Sequence, residues 1–255
     1  MDNEVTYGNP NELWALSPVG MMRAAGFEPD EWQKRVLRSQ SDRMLILCAR
    51  QLGKSTVVGC KALHKGMYTP DSLTLLIAPT ERQSKELFIK VLSIYYALNQ
   101  PTPPANDPTA TILTLSNGSR IVTLPGDPET LRSFSAVNLA IIDEAARVKT
   151  NMMPAILPML GISRGQMILL STPQGRQGFF FDLWQTPGTR WEKIRAKASE
   201  CPRLDPEFLA ETRRELGETM YMQEYENEFI SSGEQVFSES SVDDAFSSNR
   251  SALSW

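Results

Sequence analysis

Four short runs without a charged residue punctuate the chain, at 44–48, 72–78, 138–142 and 166–170. Each is largely apolar at successive positions and bounded by turn residues, the pattern of a strand buried on both faces. Helical periodicity fills the intervals. Residues 57–67 read as a helix, and 81–97 set Leu87, Phe88, Val91, Leu92 and Tyr95 on one helical face. Residues 145–160 read as helical in part, interrupted at Pro154 and Pro158, and 179–184 as a further helix. Residues 111–116 and 119–124 flank Asn117-Gly118, which predicts a hairpin closed by a two-residue turn. Upstream, a helix is predicted over 18–26, and Asp30 is placed to cap another from Glu31, while residues 1–20 carry little pattern. From 186 the character changes. Residues 191–197 alternate like an edge strand with a charged face, Asp205 caps a charged helix to Leu216, and a second helix is predicted over 218–229. Residues 231–240 and 249–255 read as linker and tail. Strands alternating with helices give an α/β fold with a mainly parallel central sheet flanked by helices. The expected division is a core over 1–189 with 1–26 as a lead-in, a small C-terminal lid-like or linker subdomain over 190–238, and a tail over 239–255.

The first apolar run leads into chemistry. A strand, then Gly53-Lys54-Ser55, then a helix is the setting of a phosphate-binding loop. Free N–H groups at the helix start, aided by the positive end of the helix dipole, suit phosphate. Ala49, Arg50, Gln51, Leu52, Gly53, Lys54, Ser55 and Thr56 would form the loop. Gly53 allows close backbone approach, Lys54 would reach the β- and γ-phosphates, and the Ser55 hydroxyl would bind Mg²⁺. Cys48 stands where the usual pattern has its first glycine, and Arg50 would lie close to the phosphates.

The third run ends in Asp143 and Glu144, at the strand edge where a parallel sheet forms its ligand crevice. Asp143 is placed to hold Mg²⁺ through water, and Glu144 to orient and deprotonate an attacking water. An acidic helix start would look similar; the joint occurrence with an upstream phosphate loop makes the pair specific. The fourth run ends in Ser171 and Thr172, whose hydroxyls would sense the γ-phosphate; a capped turn is the competing reading. Trp32 and Gln33 suggest an adenine pocket, the ring stacking and the amide both donating and accepting. The alternative is a capped surface helix that buries Trp32.

Composition narrows the classes. The net charge of -4 argues against nucleic-acid binding through overall charge. A local basic face would be needed, with Arg164, Arg176, Arg190, Lys193, Arg195 and Lys197 as candidates by clustering, against the plainer reading of a solvated charged face. The 3 cysteines have neither metal-ligand nor disulfide-framework spacing, which points to a reducing compartment. His64 is the only histidine and sits on a predicted helix, so a histidine-based triad or zinc site is not expected. No apolar run approaches the length of a membrane span and no signal peptide is visible, so no membrane association is expected.

An extra strand between the loop strand and the acidic one, with a glutamate beside the aspartate, suits the RecA-like (ASCE) class of P-loop NTPases. Within it, the chain resembles the large subunit of tailed-phage terminases, the DNA-packaging motors. Residues 49–56 (Ala-Arg-Gln-Leu-Gly-Lys-Ser-Thr) look like that family's degenerate Walker A, 139–146 like its Walker B, and 170–179 like its coupling motif. Residues 27–33 resemble its adenine motif, and 208–237 the segment closing the ATPase region. The resemblance implies ATP hydrolysis with Mg²⁺ that drives double-stranded DNA into a procapsid. It implies a homo-oligomeric ring, portal-protein and small-subunit partners, and work in the host-cell cytoplasm. It also implies a C-terminal nuclease domain in the full-length family pattern; Asp243 and Asp244 lack a following acidic cluster, so no DNA cleavage is expected from this chain. A transition-state arginine is required. Arg50 in cis and Arg132, presented to a neighbouring subunit, are the candidates, with Arg132 favoured. Two other readings compete: a superfamily 2 helicase-like DNA-dependent ATPase, and a nucleotide-binding switch module without turnover.

Overall fold

The computed structural model describes residues 10–230. The first nine residues, and the linker and tail expected beyond 230, lie outside the described residues. The apolar runs form the middle of one seven-stranded sheet. Its strands are β1 (Arg43–Cys48), β2 (Leu73–Ala78), β3 (Ile112–Thr114), β4 (Arg120–Pro125), β5 (Leu139–Asp143), β6 (Gln166–Ser171) and β7 (Glu192–Ala196), in the order β3-β4-β2-β5-β6-β1-β7. Every pairing is parallel except β3 with β4. Every residue of β1, β2 and β5 is buried, because helices cover both faces. Met44 and Ile46 of β1 enter one apolar cluster, and Leu45 and Leu47 the other.

The first cluster packs under α1 (Pro10–Leu16), α2 (Pro18–Ala24), α3 (Glu31–Arg38), α4 (Lys54–Tyr68) and α5 (Glu81–Ala97). The second packs under α6 (Pro128–Leu131), α7 (Met152–Gly161) and α8 (Gly178–Gln185). After β7 the chain forms α9 (Pro206–Leu216), capped by the Asp205 carboxylate on Glu207 N at 3.0 Å, and α10 (Glu218–Glu224). β7 joins this last segment to the central sheet as its edge, paired with β1. β6 lies between β1 and β5, so the loop strand and the acidic strand are separated by one strand.

Four details depart from the sequence expectation. The hairpin forms, but its turn has three residues: Gly118 N donates to Leu115 O (3.0 Å), Leu115 N donates to Ser119 O (2.8 Å), and Gly118 takes φ +84°. α7 runs through Pro158 uninterrupted, because Met152, Ala155, Ile156, Met159 and Leu160 are all buried against the sheet and that packing offsets the lost hydrogen bond. α10 stops at Glu224 instead of reaching 229. There Asn227 adopts φ +60° and its Nδ2 donates to Ala196 O (2.7 Å), while Ala198 N donates to Tyr225 O (2.8 Å), so the end of β7 captures the chain. Finally, α1 forms where little pattern was read; His64 Nε2 lies 3.1 Å from Trp14 O beneath it.

Candidate active site

β1 ends at the phosphate loop. Cys48, in the position of the missing glycine, is fully buried in the first cluster, and burial pushes its thiol up to about 12. Its side chain thus leaves the loop, so the absent glycine costs the loop no space. Ala49 N donates to Ala196 O (3.0 Å) and Arg50 N to Glu224 O (3.1 Å), which ties the loop to β7 and α10. Gln51 takes φ +61° and Gly53 φ +81°, and α4 starts at Lys54. A Cβ on Gly53 would sit 2.9 Å from Gln33 Nε2.

Gln33 is 2% exposed and both ends of its amide are engaged. Nε2 donates to Leu52 O (3.1 Å), and Oε1 accepts from Asp30 N (2.9 Å). Arg203, which the sequence reading did not single out, adds a second clamp: Nη2 donates to Asp30 Oδ2 (2.6 Å) and to Leu52 O (3.0 Å). Helix α3 therefore orients the loop backbone. Trp32, its neighbour on α3, packs against the first cluster, and its indole nitrogen is buried without a partner among the described residues.

The acidic pair sits opposite. Asp143 is 7% exposed and accepts from Ser55 Oγ (3.2 Å) and from Glu144 N (2.9 Å); Lys54 Nζ is 3.9 Å away. Burial raises its carboxyl above the usual aspartate range. A hydroxyl and a carboxylate, both hard oxygen donors, fit a divalent cation such as Mg²⁺, and a cation there would compensate the buried charge. Glu144 takes φ +50°, a left-handed conformation that costs a non-glycine residue about 1–3 kcal/mol. That twist turns its carboxylate toward the loop, where Oε1 pairs with Lys54 and Oε2 accepts from Arg147 Nη1 at 2.7 Å. Arg147 Nη2 lies 4.0 Å from Glu224 Oε1, and Glu224 Oε2 pairs with Arg50. Lys54, Glu144, Arg147, Glu224 and Arg50 thus form a chain of alternating charge around the loop. Arg147 and Glu224 were not identified from sequence. Arg147 carries a weak signal, three residues after Glu144; Glu224 lies in the 208–237 segment that resembles the close of the ATPase region, but nothing in the sequence links it to the two arginines.

Ser171 and Thr172 lie at the end of β6, both buried. Ser171 Oγ accepts from Ala146 N (3.3 Å), while the Thr172 hydroxyl has no partner among the described residues. Thr56 follows Ser55 in the first turn of α4. Arg132 follows α6, its side chain 63% exposed and paired with Glu129 at 2.7 Å, outside the charged chain around the loop. Of the clustered cations, Lys193 donates to Trp184 O (2.6 Å) and Thr186 O (2.8 Å), and Arg195 to Asn227 O (2.7 Å). Lys197 pairs with Glu226 at 3.7 Å, and Arg176 Nε donates to Phe229 O (3.0 Å). Arg164 and Arg190 are exposed. Among the described residues no cluster of three or more histidine, cysteine or acidic residues forms a further metal site, and no helix is long and apolar enough to cross a membrane.

The chain is similar in sequence and fold to known proteins. The profile of the family described as terminase large subunit, T4likevirus-type, N-terminal, matches residues 45–243. The large terminase subunit of Thermus phage G20c is 25% identical over 248 residues, covering 84% of this chain and 51% of its own length. That of Escherichia phage T5 is 23% identical over 250 residues, covering 91% and 55%. The chain thus spans about half the length of the curated relatives it matches. Among solved structures, the Thermus Phage P74-26 large terminase ATPase domain aligns with a TM-score of 0.69 at 23% identity, covering 82% of this chain and 97% of that one. The HK97 bacteriophage large terminase aligns at 0.63 with 16% identity, covering 79% and 50%. A large terminase from a thermophilic bacteriophage, solved in complex with ATP-gamma-S, aligns at 0.59 with 11% identity, covering 82% and 52%. The fold is the RecA-like one of terminase ATPase domains. With the family profile matching most of its length, the chain belongs to the family of terminase large-subunit N-terminal domains.

Proposed function

We propose that this domain hydrolyses ATP as the motor of a viral DNA-packaging machine. The observation that carries the reading is the placement of Glu144: a strained carboxylate beside the Asp143–Ser55 pair, held by Lys54 of the phosphate loop. A structural neighbour solved in complex with ATP-gamma-S supports nucleotide binding by this fold. Backbone N–H groups from Gly53 to Thr56 and the Lys54 ammonium receive the phosphates. Lys54 then exchanges Glu144 for phosphate, which leaves the Glu144 carboxylate able to take a proton from water. Ser55 and Asp143 would hold Mg²⁺, which when bound supplies charge neutralisation at the phosphate oxygens. The buried Thr172 hydroxyl, at the end of the strand between β1 and β5, is available to the γ-phosphate. The lid or linker subdomain is placed over 190–238, and within it Glu224 is tied to the loop at Arg50.

The transition-state arginine is supplied by Arg132 of a neighbouring copy; its exposed side chain, paired with Glu129 and not with the charged chain around the loop, supports that reading. A finger in trans requires contact between copies, and the proposed motor is a homo-oligomeric ring acting on double-stranded DNA, with portal and small terminase subunit as partners in the host-cell cytoplasm. The test is ATP turnover against protein concentration with Mg²⁺. Specific activity should rise with concentration and be lost in both Glu144→Ala and Arg132→Ala. Concentration-independent turnover that survives Arg132→Ala would place the finger in cis, on Arg50. ATP binding without any turnover would favour a switch module.

A further inference from the structure

We infer that the rim at the amino ends of β6, β1 and β7, which carries Arg38, Arg43, Arg164 and Arg190, is the surface that takes the phosphate backbone of double-stranded DNA. The inference rests on the proposed DNA partner and gives it a place. The three strands are neighbours in the sheet. Arg38 ends α3, Arg43 begins β1, and Arg164 and Arg190 stand just before β6 and β7. The carboxyl end of β1 leads to the phosphate loop, so the rim lies at the far end of that strand, about 20 Å away at about 3.3 Å per residue.

Local bonds fix how the rim is presented. Arg43 Nη1 donates to Asp42 O (2.7 Å) and to Gly165 O (2.9 Å), and Gly165 N donates to Leu160 O (3.0 Å). Arg164 between them takes φ +50°. Lys193 Nζ holds the turn before Arg190 through Trp184 O (2.6 Å) and Thr186 O (2.8 Å). Arg38, Arg164 and Arg190 are exposed and make no ion pair among the described residues. Arg43 is the buried member. It is 8% exposed, no carboxylate pairs with it, and its Nε is buried without a partner among the described residues. Burial lowers its guanidinium from the ordinary value, the charge of nearby Arg190 lowers it further, and Asp42 opposes this less strongly. A buried cation beside a like charge is held at a cost, which an anion between them removes. Glu192 at the head of β7 is already paired with Arg35 at 3.1 Å, which leaves Asp42 as the one unpaired acid beside these arginines.

The chemistry of the rim selects its partner. Adjacent strands lie about 4.8 Å apart, so the heads of β6 and β7 are about 10 Å apart across β1. A duplex carries about one charge per 1.7 Å of axis, hence about six over that span. The guanidinium fork matches phosphate oxygens. A protein interface would need an apolar centre, and on these stretches Ile162, 80% exposed, is the one large apolar residue exposed. Lys193 and Arg195 do not join the rim, being spent on carbonyls of their own chain.

The experiment is anisotropy titration of a short labelled DNA duplex with wild type, Arg164→Gly, Arg190→Ala and their double variant. Glycine suits the left-handed conformation at 164, so that substitution keeps the fold. A control of equal charge combines Lys90→Ala and Arg214→Ala, both exposed on other elements. At about 50 mM salt each rim substitution should weaken binding about tenfold, and the slope of log affinity against log salt should fall by about 0.9 for each arginine removed. The control pair should change affinity less than about twofold. Asp42→Asn should tighten binding about two- to fivefold, which a damaged fold would not do. Arg164→Lys with Arg190→Lys should keep most of the affinity, because a point charge still binds phosphate. Rim variants that bind the duplex as wild type does, a control pair that loses as much as the rim pair, or wild type that binds no duplex at about 50 mM salt each overturns the inference. A rim that ignores DNA but takes polyglutamate marks an acidic protein partner and overturns it equally. Mg-ATP turnover without DNA reads the other end of the sheet and should be equal in wild type and rim variants. Intact turnover with DNA binding indifferent to the rim strikes this inference alone; wild type that neither turns over ATP nor binds DNA strikes the motor reading as well.

Discussion

Replacing Lys61 by methionine should change how stability depends on pH more than it changes stability at neutrality. Lys61 projects from α4 beneath α3, where its Nζ donates to the carbonyls of Val36 (3.0 Å), Leu37 (3.4 Å) and Ser39 (2.8 Å). It closes the C-terminal end of the helix whose other end carries Gln33 and orients the loop. Burial lowers its ammonium from 10.5 to about 8, with the Glu192 carboxylate opposing that shift. In the unfolded chain the proton stays on to about pH 10.4. Between the two values the unfolded state holds more protons, so stability rises with pH across that window and is flat below it. The gap is worth up to about 3.4 kcal/mol at 1.36 kcal/mol for each tenfold difference in proton affinity. Urea unfolding of wild type and Lys61→Met at pH 7.5 and 10.5 isolates the term, because other titrating groups are common to both. Wild type should gain about 2–3 kcal/mol on the variant over that interval. Parallel pH profiles would refute the reasoning, and would mean that the three carbonyls fully compensate the buried charge.

Gly53→Ala should abolish nucleotide binding in a folded protein, since the new Cβ meets Gln33 Nε2 at 2.9 Å and φ +81° is strained for alanine; ADP titration with circular dichroism as a folding control checks it. Asn227→Ala should lower stability by about 1–3 kcal/mol through loss of the buried bond to Ala196 O, read as a lower urea midpoint. An unchanged midpoint would show that β7 does not need this residue to capture the end of α10.

Much of the scaffold was legible because its signals are local. An apolar run such as 44–48 can only be satisfied by burial on both faces, and Pro18, Asp30 and Asp205 mark helix starts by what their own atoms do. The site was legible where adjacent residues carry the chemistry. Gly53-Lys54-Ser55 is set by a turn into a helix, and Asp143-Glu144 by the end of a strand, and the structure brings Ser55 within 3.2 Å of Asp143. Arg203 escaped notice, and the role of Glu224 within the 208–237 segment was not foreseen, because both reach the loop from the segment after β7 and no spacing along the chain encodes that return. Gln33 was singled out for base recognition, whereas its amide is engaged with the loop backbone and with Asp30.

By itself the sequence determined the α/β class, the order of the strands and of the longer helices along the chain, and the residues that a phosphate loop and an acidic strand end must present. These follow from periodicity and from groups a few bonds apart. Only the tertiary structure decided that β6 lies between β1 and β5, that α10 ends at Glu224, and that Arg50 and Arg147 share one buried carboxylate. Strand order is settled by how helix faces pack against the whole sheet. A buried ion chain is settled by which charges can reach each other once water is excluded, and both are properties of residues far apart in the chain.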